Sequence, residues 1–289
     1  MRISVIIPVF NGEAYLSKLF DSIVSQSASM TNVEFLFIDN NSNDNSMSLI
    51  KEFMQKNKLV NAKLFLFKEK QSSYASRNFG IKQSKGDYLC FTDADCILDN
   101  NYIKNLIEKI ELYPNKIISG KVELFIHDKK NIWENFDKEV NMRNENKIES
   151  NSAATANLIV PAHYFSDAGL FMEITSGGDV EWTQRAIRYG KEMIYIPEIK
   201  VFHPCRNTFE ETKKKMHRLG IGYGEKSKNK IQIILKSLFR IFYIPTNAKI
   251  SKNIYKNVGL IGIIKFNILF FALRIYQLKG VIYGTNLPR

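Results

Sequence analysis

DYLCFTDADCILDN, residues 87–100, ends an apolar run with two carboxylates one residue apart. Tyr88-Leu89-Cys90-Phe91 reads as a buried strand, and Asp93 and Asp95 flank Ala94 just beyond it. Like charges at the end of a core strand repel each other unless something between them removes the repulsion. Hard oxygen ligands on a turn suit a divalent cation, Mg²⁺ or Mn²⁺, which takes one or two carboxylates and fills its other positions with water or substrate phosphate. Taken alone the pair admits a plainer reading, in which Asp93 caps the following turn and Asp95 is solvated.

Upstream, strands and helices alternate. Ile3–Val9 is apolar and β-branched, and NGEAYLSKLFDSIVSQS after it has helical spacing through Tyr15, Leu19 and Ile23. VEFLFID (33–39) is a second strand, followed by a helix with Asp44 in a capping position. AKLFLF is a third strand and SYASRNFGIKQS a third helix. Strands separated by such helices imply βαβ units and a mostly parallel sheet, whose ligands sit beyond the carboxyl ends of the strands. Asn11, Asp39 and Asp93 all fall at or just past strand ends, so this pattern places them on one rim.

Downstream, the polar stretch 128–150 reads as a helix or a mobile loop. ATANLIVP (154–161) is a strand candidate, GGDVEWTQRAIRYG (177–190) a glycine-led turn into a helix, and EMIYIP and KVFHP two short strands. No internal repeat is visible.

With 289 residues and 45% hydrophobic content the chain can bury a large core. Three cysteines without paired spacing imply a reduced, cytoplasmic setting and small-hydrophobe roles. The start lacks the pattern of a signal peptide, and no run of 18 apolar residues marks a clean membrane span. The formal charge of +12 is uneven. Residues 213–289 hold 16 Lys/Arg against one acid, Glu225, whereas residues 1–212 hold 25 against 28. The basic surface therefore belongs to the last quarter of the chain.

VIIPVFNGEAYL, FIDNNSND, YASRNFGIKQSKGDYLCFTDAD, TANLIVP, GGDVEWTQRAIRYG and VFHP, in that order over about residues 1–210, resemble the family 2 glycosyltransferases. The resemblance implies a GT-A fold, a nucleotide-diphosphate sugar donor and Mn²⁺ or Mg²⁺. It implies that Pro8, Val9 and Asn11 wrap the nucleoside and that Asp39 faces the base. Many members carry a second acid next to that one, where this chain has Asn40. Arg77 matches a nucleotide-side arginine. Asp93 and Asp95 match the D-x-D motif, with Asp95 the direct metal ligand, and His203 matches a late histidine near metal and diphosphate. Asp179 matches the catalytic base, although Gly178 stands where many relatives have Glu. The segment 128–150 falls on the acceptor side.

The chemistry of these residue types agrees. A cation stabilises the charge that gathers on a departing diphosphate. A positioned carboxylate takes the proton of the attacking hydroxyl and supplies ~10²–10⁴-fold. Glycines before Asp179 allow close backbone approach to a ligand, and a helix N-terminus keeps a carboxylate ionised. Alone, Asp179 reads first as an N-cap, and His203 also reads as the end of a strand. One base and one attack imply inversion at the anomeric carbon. Trp133 and Trp182 read as sugar platforms or as packing, and Arg185 and Arg188 as diphosphate or acceptor contacts or as plain helix charges. His127, His163 and His217 read as structural or solvated.

The expected organisation is a GT-A catalytic domain at 1–212 and a basic, amphipathic helical region at 213–289. KIQIILKSLFRIFYIP (230–245) carries Gln232, Lys236 and Arg240 on one stripe, with Ile231, Ile234, Leu235, Leu238 and Phe242 around the rest. VGLIGIIKFNILFFALRIYQLKG (258–280) is apolar, broken by Lys265 and Asn267. Such helices fit peripheral association with an anionic membrane at the inner face of the cell membrane, and a glycan or lipid-linked acceptor. A span at 258–276 and a helical cover over the catalytic domain are the competing readings. Two rivals stand further off. A nucleotidyltransferase shares sheet and metal but has no need of Asp179. A nucleic-acid-binding protein fits the net charge, but the first 212 residues lack the excess and no nucleic-acid motif appears.

Overall fold

A computed structural model describes residues 1–58, 60–140, 148–241 and 248–287. Among the described residues there are eight strands: β1 (Ile3–Val9), β2 (Val33–Asp39), β3 (Ala62–Leu66), β4 (Tyr88–Phe91), β5 (Ile97–Leu98), β6 (Ile117–Phe125), β7 (Leu158–Pro161) and β8 (Met193–Pro204). They form one sheet in the order β3-β2-β1-β4-β7-β6-β8-β5. β1 runs parallel to β2 and β4, and β2 parallel to β3. β7 then pairs antiparallel with β4 and β6. The α/β architecture expected from the alternating pattern is present. β2 is buried along its whole length, as a central parallel strand covered on both faces must be. β3, at the sheet edge, is only half-buried.

Helices α1 (Glu13–Val24), α2 (Ser46–Lys56) and α3 (Ser73–Gln83) connect the parallel strands, and α4 (Tyr102–Leu112) follows β5. After β6 come α5 (Ile132–Val140), α6 (Tyr164–Ala168) and α7 (Gly178–Arg188). The tail is helical: α8 (Phe209–Lys226), α9 (Lys230–Ile241) and α10 (Ala248–Thr285), the last kinked at Gly259, whose φ is 68°.

The chain forms two compact units. The first holds Met1–Glu123, Arg143–Glu173 and Asp179–His203. Its core is aromatic: Phe91 meets Phe165 and Phe171 edge-on, and Trp182 stacks on Phe165 at 4.6 Å. The second holds Leu124–Met142, Ile174–Gly178 and Pro204–Arg289. The basic tail thus folds together with α5, whose Phe136 packs with Met216, Phe266, Phe270 and Leu273.

Two local readings change. EMIYIP and KVFHP are one strand, β8, because Pro197 sits at an exposed position where the missing N–H breaks no essential bond. In the polar stretch 128–150, residues 132–140 are helical and 148–150 a short 3₁₀ turn, while 141–147 lie outside the described residues. Phe242 of the tail pattern also lies outside them.

Candidate active site

The register of the parallel strands builds the rim. Val9 pairs with Asp39 and Ile6 with Phe91, so β1, β2 and β4 end close together. Asn11, Asp39 and Asp93 therefore meet at one edge. The two loops there are tied to each other. Glu13 N–H donates to Asp44 at 3.0 Å, Asn45 N–H to Glu13 at 3.1 Å, and Gly12 N–H to Ser46 Oγ at 2.8 Å. Asp44 also accepts from Ser46 N–H at 3.0 Å, but it stands one residue before the N-cap of α2, which is Asn45 and makes no side-chain cap bond. Asn11, in the left-handed region at φ 50°, accepts from Asn43 N–H at 2.8 Å. Its side chain thus shapes the loop.

Asp39 is fully buried. Its Oδ1 accepts from Ser42 N–H at 3.0 Å, while its buried Oδ2 has no hydrogen-bond partner. A buried carboxylate oxygen left unmatched is costly, and a ligand N–H would supply the missing donor. Asn40 has a different task. Its amide donates to the carbonyls of Phe67 and Lys70 and its oxygen accepts from Ser72 N–H. An acid at this position has no N–H₂ for those two carbonyls, so Asn40 fastens the loop that leads into α3.

Asp93, Asp95 and His203 come together, with one ligand atom from each lying within 4.8 Å of the others. The β5–β8 ladder causes this. Ile97 pairs with Phe202, which brings His203 to the turn after β4, and its Nε2 lies 3.3 Å from Asp95 Oδ2. Two carboxylates and one imidazole are a donor set that fits Mn²⁺ or Mg²⁺. Arg77, 4% exposed, bonds Asp93 through its guanidinium, and its Nε has no hydrogen-bond partner. That nitrogen is a free donor beside the acids.

Asp179 lies in the first turn of α7, after Gly177 at φ 84°. Both of its oxygens are engaged: Tyr74 Oη donates to Oδ1 at 2.9 Å and Thr155 N–H to Oδ2 at 3.3 Å. Burial, and then the charge of Asp179, push the Tyr74 hydroxyl far above its ordinary pKa, so it remains a donor. Sequence reasoning missed Tyr74. The signal was its place three residues before Arg77, on the same face of α3. One helix face thus holds Asp179 through Tyr74 and Asp93 through Arg77.

Trp182 is fully buried, and its Nε1 donates to the Gly169 carbonyl at 2.7 Å, so it is core. Trp133 packs against Phe209. Arg185 is taken up by Glu181 and the Leu170 carbonyl, while Arg188 is exposed. His127 bonds Glu134, His163 packs on Tyr164 and His217 on Tyr283. Cys90, Cys96 and Cys205 are free and buried, and burial raises the pKa of each.

The profile of the family described as Glycosyl transferase family 2 matches residues 4–174. Glycosyltransferase AglE of Haloferax volcanii is 33% identical over 222 residues, 76% of this chain and 72% of AglE. The mannosyltransferase PcManGT of Pyrobaculum calidifontis, solved with GDP-Man and Mn²⁺, aligns over 98% of this chain and 86% of its own at a TM-score of 0.65 and 13% identity. Staphylococcus aureus TarS, solved with UDP-GlcNAc, aligns over 99% of this chain and 90% of its own at a TM-score of 0.58 and 16% identity. TarS is named a poly(ribitol-phosphate) β-N-acetylglucosaminyltransferase. At these identities the structural likeness shows the fold alone, which is GT-A.

Proposed function

The chain belongs to glycosyl transferase family 2 and is a glycosyltransferase, and from that premise we propose that it moves a sugar, with inversion, from a nucleotide-diphosphate donor to a hydroxyl acceptor. The observation that carries this reading is the single face of α3 that seats both Asp179 and Asp93.

The nucleoside lies in the loops after β1 and β2, against Pro8, Val9 and Asn11, with Asp39 Oδ2 accepting from the base. Asp93, Asp95 and His203 would hold a divalent cation, which when bound would neutralise charge on the diphosphate. Arg77 directs its unmatched Nε–H toward the same anion. Asp179 takes the proton from the acceptor hydroxyl as that oxygen attacks the anomeric carbon. Tyr74 and the Thr155 amide fix the carboxylate, so its orientation does not have to be found at each turnover. The catalytic role is assigned to residues 1–212, and the basic region 213–289 to peripheral association with the inner face of the cell membrane. A glycan or lipid-linked acceptor in surface polysaccharide synthesis fits that setting, and TarS offers a parallel in its named polymer acceptor.

Calorimetry of UDP and GDP binding, with Mn²⁺ and with EDTA, tests the reading. One of the two should bind more tightly with Mn²⁺, and Asp95→Ala should abolish most of that difference. Equal affinities with and without metal for both nucleotides would refute metal-linked donor binding.

A further inference from the structure

α10 from Lys256 to Thr285 is long and apolar enough to cross a membrane by length and composition, yet its packing is one-sided. Phe266, Phe270 and Leu273 are buried in the core of the second unit. Further along, glycines four apart on α10 (Gly280, Gly284) meet glycines four apart on α8 (Gly220, Gly224). A Cβ on Gly280 would collide with the His217 carbonyl, and one on Gly220 with the Gln277 carbonyl. The two backbones are therefore in direct contact, the close approach that small residues four apart permit. The opposite stripe of α10 is exposed among the described residues: Leu260, Ile261, Ile264, Ile268 and Ile282, Leu260 by 65%. At about 100° per residue all of them fall on one face. α9 has its own bare stripe in Ile231, Leu235, Leu238 and Phe239, while its Ser237 and Ile241 are buried.

We propose that these two stripes enter one leaflet of an anionic membrane, with α10 lying in the interface and not crossing the bilayer. This rests on the membrane association proposed above and specifies its surface and depth. Charge selects the occupant. Residues 213–289 carry 16 Lys/Arg and the single acid Glu225, which is occupied by Thr175 through its N–H at 2.6 Å and its Oγ1 at 2.8 Å. Arg274 donates through one terminal nitrogen to Gln277 at 2.8 Å, but its buried Nε has no hydrogen-bond partner. Arg240 stands close enough to repel it, and no carboxylate pairs with either among the described residues. Anionic lipid phosphates supply the negative charge that this region lacks.

Depth follows from α8. It lies backbone to backbone with α10 and carries Lys213, Lys214, Arg218 and Lys226, with Lys214 and Arg218 exposed. A spanning α10 would draw these charges into hydrocarbon, at roughly 2.5 kcal/mol or more for each one near the centre. Lying flat leaves α8 in water and wets only the bare stripes with lipid.

The test uses the full chain. All three native cysteines are buried, so Ile261→Cys, Ile268→Cys and Ile282→Cys can each be labelled selectively with an environment-sensitive fluorophore. Proteins are mixed with phosphatidylglycerol or phosphatidylcholine vesicles, sedimented, and probed with lipid quenchers at defined depths. The expected result is sedimentation with phosphatidylglycerol, release by carbonate, and three labels at one shallow depth. Ile264→Asp combined with Ile268→Asp should weaken binding roughly ten-fold or more. Carbonate-resistant binding with position 268 deep and positions 261 and 282 at opposite interfaces overturns the in-plane placement and leaves membrane association standing. Sedimentation with all three labels in water overturns the assigned surface alone. No sedimentation with phosphatidylglycerol at low salt overturns both.

Discussion

The sheet rim and the α8–α10 region handle charge in opposite ways. On the rim, three of the acids have specific partners: Asp93 has Arg77, Asp95 has His203, and Asp179 has Tyr74 and the Thr155 amide. In α8–α10 the charge is nearly all of one sign, and it lies beside apolar side chains that the protein leaves uncovered. A matched site depends on each partner, so one substitution changes its chemistry. A surface that acts through net charge and area spreads its effect, so one substitution removes only a small share.

The sharpest exception is in the second unit, at Asp137. It is fully buried and touches Arg206 at 3.2 Å and Lys215 at 3.3 Å. Burial alone would raise its pKa, but the two cations outweigh burial and hold it below its ordinary value. A carboxyl lowered in the folded state stabilises fully above its unfolded pKa of ~3.9 and loses that contribution as pH falls through the folded value. Asp137→Ala leaves Arg206 without its partner, while Lys215, whose pKa burial pulls down to about 7, can shed its proton, so the loss should be about 3 kcal/mol, the low end for breaking a buried pair. Chemical denaturation at pH 7 measures this. A loss below about 1 kcal/mol would place Asp137 among the spread charges.

Next in size is Tyr74→Phe, which keeps the ring and removes the donor to Asp179. A hydrogen bond to a charged group is worth about 1.5–3 kcal/mol, so transfer should fall roughly ten-fold or more while donor binding holds. Unchanged turnover would show that Asp179 needs only its Thr155 contact. The smallest effect belongs to Lys236→Ala on α9. It should weaken binding to anionic vesicles by only about 1 kcal/mol in a titration at fixed salt. A complete loss of binding would mean that the basic face holds a matched site after all.

The same contrast explains what could be read in advance. Strand ends, the D-x-D pair and the glycine-led helix at Asp179 are local patterns, and the strands and rim they imply are present. The resemblance to family 2 also grouped positions far apart in sequence, such as Asp95 and His203, which lie 3.3 Å apart. Tyr74 and the duty of Asn40 were invisible, because each depends on a partner that only folding brings near, 105 residues away for Tyr74. Pro197 misled in the other direction, since an exposed strand position tolerates the missing N–H. In the tail, periodicity showed the stripes but not the glycine contact between α8 and α10. The folding of α5 with the tail was likewise beyond pattern, since nothing local joins Phe136 to Phe270.

The central claim is that Asp179 is the base on a rim otherwise built to hold the donor. Asp179→Asn keeps the shape and can still meet Tyr74 and Thr155, but it cannot take a proton. Steady-state transfer, measured beside calorimetric donor binding on the same preparation, decides the matter. The account predicts a fall of ~10²-fold or more in transfer with donor affinity unchanged. Transfer within a few-fold of the unsubstituted protein would contradict it.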